Sequence, residues 1–258
     1  MFQRTVDSLV AQTERSFSVL ISDNYSTKGD EFIGEATERL QRTGIAVRRV
    51  RPPVELGRVE HWNWAHYESG ADWLKPLFAG DWLDAAYMAK LRGAMASNAS
   101  CRYIFCPYLL HLGDQPPTTV SSPWVGRFQR PAEMQPRVLS HGMQFGPPSA
   151  AAMERTAWIS VGGYPTALPI CADSLMFCTL AATFGVLGLT EPLCHFNIHD
   201  ARFSTNLAQR AKDSFREAIT YFGMLGYRAW AERVSFSKLA YARLLWRETR
   251  AYLAKGKS

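Results

Sequence analysis

Three aspartates stand where a carboxylate can do chemistry. Asp23 follows the β-rich run FSVLIS (Phe17 to Ser22), Asp81 closes the run WLKPLFAGD that begins at Trp73, and Asp173 opens the helical stretch ADSLMFCTLAATFG. A hard divalent cation such as Mg or Mn prefers carboxylate oxygens and bridges to the phosphates of a bound nucleotide, so Asp81 is a candidate ligand. A carboxylate at a helix start beside a cleft can take the proton from a hydroxyl nucleophile, which makes Asp173 a candidate base. Each also has a plain reading. Asp81 and Asp173 could cap helices, with Asp84 competing for the first of these caps, and Asp23 could bond its own backbone in a turn. His195 and His199 lie four apart in CHFNIHD, a stretch without a convincing helical pattern, and this argues against shared ligation of one metal.

The elements that must position these groups alternate. TVDSLVAQT places Val6, Leu9 and Val10 at helical spacing, FSVLIS is a strand, and EFIGEATERLQRT is a helix with an acidic start. IAVRRV is an alternating strand, broken by Pro52 and Pro53. VEHWNWAHYES is then an amphipathic helix closed by Gly70, DWLKPLF a strand, and DAAYMAKLRGAMAS a helix. This alternation predicts an α/β fold, a mostly parallel mixed sheet flanked by helices. Ligands in such sheets sit beyond the carboxyl ends of strands, which is where Asp23 and Asp81 fall. YIFCPYLL is a further strand. The segment from Gly113 to Val138, rich in Pro and Ser, predicts a long surface loop with little regular structure, either a substrate-binding loop or a tolerated insertion. A strand and short helix end at Gly162 and Gly163, and irregular strand and loop follow the Asp173 helix. From 207 to 258 the chain predicts a C-terminal helical extension, basic and amphipathic from Trp230 to Lys257.

The 258 residues, 47% of them hydrophobic, suffice for one full core. The net charge of +6 favours phosphates, acidic glycans or an anionic membrane face, and is too modest to imply nucleic acid. Cys101, Cys106, Cys171, Cys178 and Cys194 match neither a zinc site nor a disulfide framework, so buried free thiols are expected. The run after Met1 carries Arg4 and Asp7 where a secretory signal needs apolar residues. The longest uncharged apolar stretch, Ser174 to Thr190, is short for a bilayer span and contains Gly185 and Gly188. A soluble or peripheral protein is therefore expected, cytoplasmic or on the inner face of a membrane, with the basic C-terminal helix a candidate contact.

Taken in order, SLVAQTERSFSVLISDNYSTKGD, GRVEHWNWAHYESGADWLKPLFAGDWLDAAYMAKL, ERTAWISVGGYP, CADSLMFCTLAATFGVLGL and IHDARFSTN resemble the family 2 glycosyltransferases with the GT-A nucleotide-sugar fold. The likeness runs from about Thr5 to Asn206 and leaves out the Gly113 to Val138 segment. It implies a GT-A-like domain over 1–206. By the resemblance, Asp23 contacts the nucleotide base, Asp81 is the last carboxylate of a DxD-type motif holding metal and diphosphate, and Asp173 is the catalytic base. His199 stands near the metal, and Asn63 gives structural support. The implied reaction is an inverting transfer of a sugar from a nucleotide-diphosphate donor to a hydroxyl of a glycan or lipid-linked acceptor, dependent on Mg or Mn. Bacterial surface polysaccharide or glycolipid synthesis is the implied setting.

The sequence departs from that pattern twice. Phe78, Ala79 and Gly80 stand where the family carries further acidic residues. The family also begins with a central strand between the FSVLIS and WLKPLF strands, and this chain starts inside the helix that follows it. The two strands are therefore expected to close up or to leave backbone groups unpaired, and a natural start upstream of Met1 is the expected explanation. The alternative function is that of a non-catalytic relative binding a glycan or a partner enzyme.

Overall fold

A computed structural model describes residues 2–27, 29–141 and 145–198. The chain order is α1 (Phe2–Val10), β1 (Ser18–Ser22), α2 (Gly29–Arg42), β2 (Ala46–Val50), α3 (Arg58–Ser69), β3 (Trp73–Leu74), β4 (Trp82–Leu83) and α4 (Tyr87–Ser97). Then come β5 (Tyr103–Phe105), β6 (Tyr108–Leu112), β7 (Thr118–Val120), β8 (Phe128–Gln129), α5 (Pro131–His141) and a 3-10 turn, Pro148–Ala150. β9 (Ala151–Glu154), α6 (Arg155–Ser160), α7 (Ala172–Phe184), β10 (Val186–Gly188) and β11 (Cys194–Ile198) complete the described part. The predicted C-terminal helical extension and His199 lie outside the described residues.

The strands form three sheets: β1-β2, then β3-β9-β5-β10-β8, then β4-β11-β6-β7. β1–β2, β5–β10 and β6–β11 are parallel and the other ladders antiparallel. The antiparallel share exceeds what strand–helix alternation implies because two predicted units divide. YIFCPYLL splits at Cys106–Pro107 into β5 and β6, which enter different sheets, since a proline cannot donate to a ladder. WLKPLF contributes only Trp73–Leu74 as strand, Pro76 again ending it, and a second strand, β4, precedes α4.

The segment from Gly113 to Val138 is not a structureless loop. It holds β7, β8 and most of α5, and packs Trp124, Met134 and Val138 into the core. Pro131 opens α5 with its φ already set, and Glu133 accepts the Arg130 N–H at 2.8 Å while pairing with Arg127 at 3.0 Å. The Pro and Ser content that reads as loop therefore marks a helix start and short edge strands.

Among the described residues β1 pairs with β2 and β3 with β9, so the strands bearing Asp23 and Asp81 have not closed on one another. Val19, Leu20 and Ile21 are apolar on both faces, the composition of a strand buried on both sides, yet all three are only half-buried. Side-chain packing joins the β1–β2 pair to the rest. Val19, Ile21 and Val47 rest on a cluster that includes Val6, Leu9, Leu40, Ile104, Ala152 and Leu187. All five cysteines are buried free thiols. No described helix is long and apolar enough to cross a membrane.

Candidate functional site

Asp81 sits in the turn between β3 and β4, and three distant segments hold it. Its Oδ2 accepts the Ser149 hydroxyl at 2.5 Å, its Oδ1 accepts the Asn197 N–H at 3.2 Å, and its carbonyl accepts the Thr5 hydroxyl at 2.7 Å. Thr5 in turn takes the Gly80 N–H at 3.0 Å. Gly80 has φ +104°, a conformation open mainly to glycine, so glycine is the residue this turn requires. Asp81 and Ser149 have no solvent exposure. Lys75 is drawn in beside them, its Nζ donating to the carbonyls of Pro76 and Ser149 at 2.6 Å each, and burial lowers its pKa while the Asp81 charge opposes that shift. The cap reading of Asp81 fails, because β4 separates it from α4 and Asp84 takes the Ala86 N–H instead.

Asp23, at the end of β1, is equally enclosed, with 1% of its side chain exposed. Oδ2 accepts Arg51 Nη2 at 2.5 Å, and Oδ1 accepts the Ser26 N–H at 3.1 Å. Burial pushes its pKa up, but the bonds from Arg51 and Ser26 outweigh this and hold the carboxyl below its ordinary value. Neighbouring side chains tie the same loop to residues 51–61. Ser22 Oγ lies 2.7 Å from His61 Nε2, Asn24 makes two bonds to the Leu56 backbone at 2.8 and 3.0 Å, and the Tyr25 hydroxyl lies 2.9 Å from the Pro53 carbonyl. The self-bonded turn foreseen for Asp23 is present in the Ser26 contact, and Arg51 is added to it.

Asp173 lies in the first turn of α7, where Cys171 holds the cap position. It is half-buried, and its Oδ1 accepts the Ser174 N–H at 2.7 Å. Burial raises its pKa, and the Ser174 bonds and the Arg58 charge offset this only in part. The loop before α7 is fixed from α3. Asn63 donates to the Tyr164 carbonyl at 2.8 Å and accepts its N–H at 2.9 Å, and Arg58 bonds the Pro169 carbonyl. A Cβ at Gly163 would come within 2.8 Å of Trp158 and 2.9 Å of Asn63 Oδ1, so only glycine allows this clamp. Behind it His66 is buried, its pKa pushed down to about 4 by burial despite a bond to the Trp62 carbonyl. Asn63 thus supports structure.

Helix α3 is the common reference for the three carboxylates. His61 touches the Asp23 loop, the Trp62 ring stacks on Phe78 at 5.0 Å in the turn before Asp81, and Asn63 and Arg58 hold the approach to Asp173. A separate cleft of about 500 Å³ lies between Trp124, Arg127, Gln129 and Arg137, and none of the three aspartates lines it.

No protein-family model and no curated protein matches the sequence. Solved structures do. S. aureus TarS 1–349 in complex with UDP-GlcNAc superposes with a TM-score of 0.62 at 11% identity, over 84% of this chain and 62% of that one. The fold is GT-A. The mannosyltransferase PcManGT from Pyrobaculum calidifontis, in complex with GDP-Man and Mn2+, gives 0.58 at 17% identity over 99% of this chain and 75% of that one. GalNAc-T7 with UDP, GalNAc and Mn2+ gives 0.56 at 12% identity, over 84% and 44% respectively. The chain thus spans less than two thirds of the TarS fragment it matches.

Asp81 offers carboxylate oxygens of the kind a hard cation takes. No cluster of three His, Cys, Asp or Glu groups able to hold a metal occurs among the described residues. One carboxylate is enough in number where water and phosphate oxygens complete the shell. Its burial means that the Ser149 and Asn197 contacts must yield first. Thr5, Ser149, Asn197 and Arg51 are the partners that sequence reasoning missed. Single hydroxyls and a backbone N–H carry no spacing signal, and Arg51 alone, two residues from Arg49 on the alternating strand toward Asp23, offered one.

Proposed function

We propose that this chain is a nucleotide-sugar-dependent glycosyltransferase of the family 2 type, moving a sugar from a nucleoside-diphosphate donor to a hydroxyl of a glycan or lipid-linked acceptor with inversion. One observation carries the reading. In a fold shared with structures that hold UDP-GlcNAc and GDP-Man, Asp173 is a half-buried carboxylate with a raised pKa, at the end of a loop that α3 bonds at Tyr164 and Pro169, as suits a proton acceptor.

Asp173 removes the acceptor proton, and the freed oxygen attacks the anomeric carbon as the nucleoside diphosphate departs. The clamp of Asn63 and Arg58 keeps Asp173 in place, and the loop from Ser22 to Tyr25 forms the nucleotide side. Asp23 orients that loop through Arg51. A divalent cation, Mg or Mn, held at Asp81 and expected also at His199, would supply positive charge against the diphosphate. A cytoplasmic site in envelope polysaccharide or glycolipid synthesis, with the basic C-terminal segment against an anionic leaflet, completes the reading.

Titration of the full chain with UDP-, GDP- and TDP-sugars, with Mg or Mn and then with EDTA, tests it. Metal-dependent binding of at least one donor is expected. Silence across the panel from well-folded protein supports the non-catalytic alternative instead.

A further inference from the structure

Tyr25 is the non-glycine residue with positive φ among the described residues, at +62°. An L side chain is strained there, and strain of this kind concentrates where a group must be presented. The surroundings hold it in place. Its hydroxyl is fixed to the Pro52 and Pro53 carbonyls, and the Arg51 guanidinium carbon lies 5.4 Å from its ring centroid. The residue is nevertheless 43% exposed. It lies just past the carboxyl end of β1, the end at which α/β sheets receive ligands. The polar side chains beside it are already engaged, Asp23 with Arg51 and Asn24 with the Leu56 backbone. An immobilised, exposed ring backed by a cation is a platform for a flat group.

We propose that Tyr25 is the stacking seat for the nucleobase of the donor, a role that rests on the glycosyltransferase reading above. Stacking on a tyrosine accepts any base, since every base has a π-face. The seat therefore supplies affinity for the nucleoside part, and base choice comes from edge contacts.

The test is calorimetric titration of the full chain with UDP, GDP, TDP and inorganic pyrophosphate, comparing wild type with Tyr25→Gly, Tyr25→Asn and Tyr25→Phe. Glycine and asparagine tolerate positive φ, so either gives a folded protein without the ring. Both should bind the preferred nucleoside diphosphate about 10-fold more weakly, with pyrophosphate affinity unchanged. Tyr25→Phe should stay near wild type. Wild-type nucleotide affinity in both ring-less variants would overturn the seat, as would a parallel loss of nucleotide and pyrophosphate. These results leave the glycosyltransferase reading intact. A wild-type chain that binds no nucleoside diphosphate overturns both.

Discussion

Asp23 is buried and Asp173 half-buried, and their surroundings treat the charge in opposite ways. Around Asp23, burial is answered by Arg51 and the Ser26 N–H, and the carboxylate form wins. Around Asp173, burial outweighs the Ser174 bonds, the Arg58 charge and its own backbone N–H, and the protonated form gains. A carboxylate paired with a guanidinium holds a loop in shape. One left with a raised pKa can accept a proton, at a cost in stability.

That contrast breaks most visibly in turnover. Asp173→Asn should lower the transfer rate by roughly 10²- to 10⁴-fold with donor affinity nearly intact, measured by single-turnover kinetics beside a donor titration. Asp81→Asn should act on the donor itself, weakening its binding roughly 10- to 100-fold through loss of the charge that Ser149 and Asn197 hold in position. Equal donor binding in that variant would remove Asp81 from the site.

Stability should move in opposite directions at the two carboxylates. Arg51→Ala leaves buried Asp23 with only the longer 3.8 Å pairing to Arg49 and should cost roughly 1–3 kcal/mol in urea unfolding, toward the low end because Arg49 remains and Arg51 is 36% exposed. Since the folded pKa of Asp23 is depressed, its contribution is present above the unfolded value near 3.9 and is lost as pH falls through the folded value. The variant should therefore show a shallower acid limb. Asp173→Asn should instead stabilise at pH 7 by about 1 kcal/mol. With the folded pKa of Asp173 raised, its penalty is absent below about pH 3.9 and grows as pH rises to the folded value, so this gain should vanish in acid.

Much of this arrangement was legible in the sequence where local chemistry set it. The helices α1 and α2 follow apolar spacing, Gly162 and Gly163 mark the turn after α6, and the three carboxylates stand at ends of the segments read from the sequence; α3 forms where a helix was expected but buries only Val59 and His66, so the amphipathic face expected of it is not there. The segment from Gly113 to Val138 was not legible, because a proline at a helix start and short edge strands share their composition with loops. The partners of Asp81 were hidden for another reason. Thr5, Ser149 and Asn197 are separated from it by 76, 68 and 116 residues, and only tertiary packing brings them together. The β1–β2 pair is the reverse case, since its run of three apolar residues reads as a strand covered on both sides while the described chain leaves it half-open.

The contrast between the two carboxylates is measured most directly by carbon-13 NMR titration of labelled aspartate side chains in the full chain, with Asp23→Asn and Asp173→Asn used for assignment. Asp173 should titrate above, and Asp23 below, the ordinary aspartate value near 3.9. Two ordinary titrations, or the opposite order, would contradict the assignment of Asp173 as base and Asp23 as brace.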